Sequence, residues 1–151
     1  GFGAACVQII RDSLTDSNKK NKKASTVSCI FLFCDIRQFT DTSECLQEEI
    51  FLFTNKIAQV VHSICHSFGG FANQNKGDAF LVIWKLEDSG PNKLSALNKE
   101  ADSALFSVVQ ICMALNYDDY FLEDISEEGN MKMKNKFSGR KGNMVQVRSD
   151  L

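Results

Sequence analysis

Two aspartates in this chain interrupt apolar runs at places where a carboxylate can do chemistry. In Phe31-Leu32-Phe33-Cys34-Asp35-Ile36-Arg37-Gln38-Phe39-Thr40 an apolar strand stops on Asp35. In Asn75-Lys76-Gly77-Asp78-Ala79-Phe80 a glycine turn carries Asp78 into a second apolar strand. Magnesium takes oxygen ligands in near-octahedral geometry, usually from one or two carboxylates plus substrate phosphates. Two carboxylates on the ends of neighbouring strands suit that donor set and could bridge two ions about 3.5–4 Å apart. One ion would then lower the pKa of an attacking hydroxyl, and the other would hold a triphosphate and stabilise the charge building on its leaving group. A helix-capping or turn aspartate is the plainer reading of each residue, and the residues alone leave both readings open.

Ile36 through Thr40 leaves the strand and enters a helix, so backbone N–H groups and the Thr40 hydroxyl point where phosphate oxygens would sit. No Walker lysine motif is present, and Lys76-Gly77-Asp78 is not a phosphate-binding loop of that type. Any phosphate cradle must be built differently.

The elements that must position these acids can be read from periodicity. Residues 27–34 are apolar on both faces, which predicts a central strand covered on both sides and places Asp35 at its carboxyl end. Asp41, Thr42 and Ser43 offer capping oxygens for a long helix in which Leu46, Ile50, Phe53, Ile57, Val61, Ile64 and Phe68 recur at three- and four-residue steps. Gly69-Gly70 ends that helix. A strand over 71–75, a turn at 76–78 and a strand over 79–86 read as a hairpin with Asp78 at its tip. A second helix, from about Leu97 to Leu115, would bury Ala101, Ala104, Leu105, Val108, Val109 and Cys112. Residues 117–142 are acidic and then basic, and read as a mobile polar insertion rather than core. Met144 to Val147 resumes strand character, as a βαββαβ unit requires. At the other end, residues 2–14 form an amphipathic helix candidate, and the lysine-rich run after it reads as a solvated linker. The chain therefore divides into residues 1–26 and one α+β domain over 27–151.

At 151 residues and 44% hydrophobic the chain has enough material for one domain with a substantial core. A net charge of -2 gives no general electrostatic pull toward nucleic acid. The six cysteines show no C-x-x-C spacing and read as reduced, buried thiols. No signal peptide and no run approaching about 20 apolar residues is present, which predicts a soluble domain facing the cytosol, with membrane attachment only through segments of a longer parent.

Phe33-Cys34-Asp35-Ile36-Arg37-Gln38-Phe39-Thr40, a long helix, Gly69-Gly70 and then Lys76-Gly77-Asp78-Ala79-Phe80 together resemble the first half of a class III nucleotidyl cyclase domain, over about residues 27–86. The wording is also similar to large cyclases of protists. The resemblance implies a ferredoxin-like βαββαβ fold that pairs with a second cyclase domain, with ATP or GTP between them, and that is C-terminally incomplete here. It implies that Asp35 and Asp78, with the Ile36 carbonyl, hold two Mg2+ or Mn2+ ions, and that Phe39, Thr40, Lys76 and Gly77 border the triphosphate. Arg148 falls where a phosphate-binding arginine opens the family's next strand, although a surface arginine at a strand end fits equally. The ribose 3′-hydroxyl would attack the α-phosphate, giving cyclic nucleotide and pyrophosphate. At the base-reading position the family carries lysine or glutamate, whereas this chain has Gln74, whose amide donates or accepts and so selects neither purine. The family's transition-state asparagine and arginine belong to a second half not contained in these residues. The alternative is a cyclase-like module without turnover that serves as a dimerisation or regulatory partner.

His62 and His66 have a zinc-clamping spacing, but helical geometry turns them away from the apolar stripe and no third ligand accompanies them. Glu48-Glu49, Asp118-Asp119 and Glu127-Glu128 read as solvated acids. Trp84 and the twelve phenylalanines read as core rather than a base-stacking platform.

Overall fold

The computed structural model describes residues 28–86, 93–116 and 118–138, without the side chains of Gln74, Lys76, Asp118 and Asp119. The N-terminal helix and linker, the loop at Pro91, the strand expected at Met144–Val147 and Arg148 lie outside the described residues.

The architecture is mixed α and β. Strand β1 (Cys29–Asp35) leads into helix α1 (Phe39–Leu46), a 3-10 turn (Gln47–Glu49) and helix α2 (Ile50–Ser67). The β2 (Phe71–Lys76) and β3 (Ala79–Lys85) hairpin follows, then helices α3 (Lys93–Ala114), α4 (Asp118–Leu122) and α5 (Glu127–Phe137). The sheet order is β1-β3-β2, with β3 antiparallel to both neighbours. Strands β1 and β2 are therefore parallel to each other with β3 between them, a split βαβ arrangement.

One face of the sheet carries the core. Leu32, Cys34, Phe80, Val82 and Trp84 pack with Phe53, Ile57, Val61 and Cys65 of α2, and with Ala104 and Ile111 of α3. Trp84 is fully buried, and its indole N–H donates to the Phe68 carbonyl at 3.0 Å, which satisfies its one polar atom. Gly69, at φ +79°, takes the left-handed conformation that ends α2. Gly70 then passes so close to the indole that a Cβ there would stand 2.7 Å from Trp84 Cζ2.

Among the described residues nothing covers the opposite face, unlike the expectation of a strand covered on both sides. Phe31 is 61% exposed and Phe33 58% exposed, because the alternation of β1 turns them away from the helices. Phe31 pairs with Ile83, which pairs with Phe71, so three apolar residues form one row across that face. Among the described residues β1 is also an edge strand rather than a central one.

Three further expectations are revised. The long helix is broken at Gln47, whose positive φ of 50° separates α1 from α2. Helix α3 buries Ala104, Ser107 and Ile111, leaving Leu105, Val109 and Cys112 outward. Its apolar residues span a wide arc, and only the Ala104, Ser107 and Ile111 side of it lies inward. Ser107 is buried without penalty because its hydroxyl donates to the Ser103 carbonyl at 2.8 Å. The polar stretch after α3 is also more ordered than its composition suggested: Phe121, Ile125 and Met133 belong to the core.

Candidate active site

The hairpin brings the two aspartates together. Asp35 pairs with Ala79, and Ile36 N–H donates to the Asp78 carbonyl at 3.0 Å. Both aspartates thus stand at the same end of the same two paired strands, and both are half-buried. Asp78 is the diagonal neighbour of Asp35, one residue from its direct partner Ala79.

Two local features hold them. Ile36 is 2% exposed, so the residue after Asp35 is anchored in the core. Gly77, at φ +59°, sits first in the two-residue hairpin loop, the position at which a type II′ turn needs glycine. Lys76 pairs with Ala79 and so joins the cross-sheet row of Asp35, while Gln74 pairs with Leu81, which also pairs with Phe33. A bulge between Ala72 and Gln74 resets the register of β2 just before these positions.

The start of α1 lies four residues beyond Asp35. The Thr42 N–H donates to the Gln38 carbonyl at 3.0 Å and closes the first turn, so the amides of Phe39 and Thr40 stand ahead of the first helical bond. No side chain caps this end. The capping roles expected of Thr42 and Ser43 are reversed: the Thr42 hydroxyl donates to the Gln38 carbonyl at 3.1 Å and the Ser43 hydroxyl to the Thr40 carbonyl at 2.8 Å. Gln38 itself is left-handed, at φ 56° and ψ 35°. Such a conformation in a residue with a side chain costs on the order of 1–2 kcal/mol. Thr40 is exposed beside this turn, whereas Phe39 packs partly into the core.

Carboxylate oxygens are donors that suit a hard divalent cation, and a helix start is electropositive. Among the described residues no group of three or more His, Cys, Asp or Glu side chains is placed to hold a metal ion.

His62 proves to be a packing residue. Its Nε2 lies 3.0 Å from Asn75 Oδ1 and its ring meets Phe80 edge-on at 6.0 Å, so it ties α2 to β2, while His66 is exposed. The cysteines described are free thiols, with Cys34 and Cys65 buried, Cys29 and Cys45 half-buried, and Cys112 exposed. Burial first, and the neighbouring Cys65 and Cys112 thiols second, push the Cys34 thiol up to about 12; burial alone does the same to Cys65.

Sequence reasoning missed Glu49. Its carboxylate accepts from the Ser126 amide at 2.9 Å and from the Ser126 hydroxyl at 3.0 Å, joining the α1–α2 break to the start of α5. Ser126, an N-cap residue followed by two acids, was the available signal.

Among the described residues no helix is long and apolar enough to cross a membrane. No protein-family model matches this sequence, and no curated protein does.

Proposed function

We propose that this chain is the metal-bearing half of a class III nucleotidyl cyclase domain, converting ATP or GTP to the 3′,5′-cyclic nucleotide and pyrophosphate when paired with a second cyclase domain. One observation carries the reading. Asp35 and Asp78, chosen as a pair from two separated motifs, occupy adjacent positions at one end of a hydrogen-bonded strand pair. The strand order β1-β3-β2 is compatible with a ferredoxin-like βαββαβ domain whose fourth strand would lie along the outer edge of β1.

In this reading Asp35 and Asp78 hold Mg2+ or Mn2+, with the Ile36 carbonyl as a third oxygen. When bound, the ions supply Lewis acidity to the ribose 3′-hydroxyl and neutralise the triphosphate. The chain's own contribution is positional. The amides of Phe39 and Thr40 at the start of α1 and the Thr40 hydroxyl receive phosphate oxygens, and Gly77 lets the hairpin backbone approach them. The O3′–Pα bond forms as the bond from Pα to the bridging oxygen breaks, the hydroxyl proton passes to solvent, and pyrophosphate departs. The open apolar face carrying Phe31, Phe33 and Phe71 supports pairing with another domain.

That face serves equally a module that pairs without turnover, and Gln74 at the base-reading position favours such a module. Cyclic AMP and cyclic GMP formation with manganese, measured on the full-length protein with its partner domain, separates the two. Product that disappears in Asp35→Asn and Asp78→Asn supports the enzyme. No product from the wild type, or product that persists in both variants, removes it.

A further inference from the structure

Helix α5 runs antiparallel along α1 and is fastened to it at both ends. At its start, Ser126 caps the helix by accepting from Gly129 N–H at 3.1 Å while its own amide and hydroxyl donate to Glu49, which follows the end of α1. Gly129 is buried there, and a Cβ would stand 2.6 Å from Glu49 Oε2 and 2.8 Å from Ile125 Cγ2. At its other end Lys136 Nζ lies 3.2 Å from Asp41 and 3.6 Å from Glu44, both on α1. Between these points Cys45 Sγ donates to the Lys132 carbonyl at 3.9 Å. The break at Gln47 uncouples α1 from α2, so α1 does not inherit its position from the longer helix.

We infer that α5 is a brace that sets where the first turn of α1 stands relative to Asp35, with Glu49, Ser126, Gly129 and Lys136 as positioning residues for the nucleotide site. The inference rests on the cyclase reading for its functional half only. The brace reaches α1 at Asp41, in the same first turn as Phe39 and Thr40, whose amides receive phosphate in that reading. Lys136 also offsets the Asp41 charge, which would otherwise oppose a phosphate at that helix end. A small displacement of groups that orient a reacting phosphate is costly to turnover, on the order of a hundredfold for 1 Å.

Two kinds of variant test it. Gly129→Ala drives the start of α5 away from Glu49, and Lys136→Glu breaks the other end at an exposed site where folding is not at risk. In both, amide exchange of Thr42 through Leu46 in this chain should quicken by about tenfold or more, while that of Ile57 through Cys65 stays as in the wild type. In the full-length protein with its partner domain, KM for manganese–ATP or manganese–GTP should rise on the order of tenfold, more than kcat falls. The charge-reversed pair Asp41→Lys with Lys136→Asp should restore both readings. Unchanged exchange in α1 overturns the brace, whatever the kinetics do. Quickened exchange with an unchanged KM overturns the positioning role while the brace stands. A wild type that binds neither nucleotide with manganese sinks the cyclase reading and the positioning role together, and exchange alone then decides the brace.

Discussion

The amide of Ile36 donates to the carbonyl of Asp78 at 3.0 Å, one step beyond the Asp35–Ala79 pair. This bond belongs to the backbone, so it survives any change to the Asp78 side chain. Asp78→Asn and Asp35→Asn should therefore leave the melting temperature close to that of the wild type, within about 0.5 kcal/mol of stability. Manganese affinity in the presence of nucleotide should fall on the order of tenfold or more, since a neutral amide replaces one of few anionic oxygens. Electron paramagnetic resonance of free manganese reads the affinity directly, and retained binding in both variants would remove the site.

Adjacent glycines at the end of α2 should fail for different reasons. Gly69 has open space around its Cβ position but a φ of +79°, so Gly69→Ala carries backbone strain alone, about 1–2 kcal/mol. Gly70 has no such φ but faces Trp84 at 2.7 and 2.8 Å, so Gly70→Ala must displace a fully buried indole, costing about 1–3 kcal/mol. Trp84 is the single tryptophan. Its emission should shift in Gly70→Ala and hold in Gly69→Ala at matched folded fraction.

The neighbouring positions of Asp35 and Asp78 were legible in the sequence because the local signals are strong: an acid ending an apolar run, and Gly77 at a turn between two such runs. The hairpin bounds, the end of α2 at Gly69 and the burial of Phe53, Ile57, Val61 and Trp84 follow from periodicity, which the core enforces. Periodicity could not say which side of α3 faces inward, because Leu105 and Val109 make as good a stripe as Ala104 and Ile111. It also hid α5, where Gly129, Met133 and Phe137, with Ile125 just ahead of the helix, are single contacts four residues apart in a polar field. The change from Glu127 and Glu128 to Lys134 and Lys136 is the charge order that complements a helix dipole, not a sign of disorder. Charge composition misled there because α5 touches the core along one narrow line.

The buried thiols give a pH dependence with a definite sign. Unfolded cysteine titrates near 8.5, whereas Cys34 and Cys65 are pushed up to about 12 in the folded chain. Their contribution is complete below about pH 8 and is lost as pH rises, because above the unfolded value the unfolded chain binds fewer protons. Between about pH 9 and 12 each thiol should lower unfolding stability by about 1.4 kcal/mol per pH unit. Urea midpoints from pH 8 to 10.5 should therefore fall, and the slope should flatten by about half in Cys65→Ala. An identical slope in that variant would show that these thiols are not the groups responsible.

Gln38 holds a left-handed conformation, at φ 56°, between Asp35 and α1. Glycine adopts that conformation without the steric cost of about 1–2 kcal/mol but loses about 0.5–1 kcal/mol through the greater freedom of the unfolded chain. Gln38→Gly should thus raise stability by up to about 1 kcal/mol, and Gln38→Val, whose β-branch fits that region worst, should lower it by more than that. The same left-handed residue turns the chain so that the amides of α1 follow directly on the Asp35 strand. If that turn serves phosphate binding, Gln38→Val should weaken nucleotide affinity beyond what its fraction unfolded explains, while Gln38→Gly should retain it. Calorimetric titration of both variants with a non-cyclisable nucleotide analogue and manganese distinguishes these outcomes. Equal weakening in the two would show that the Gln38 side chain, rather than its backbone, is what the nucleotide meets.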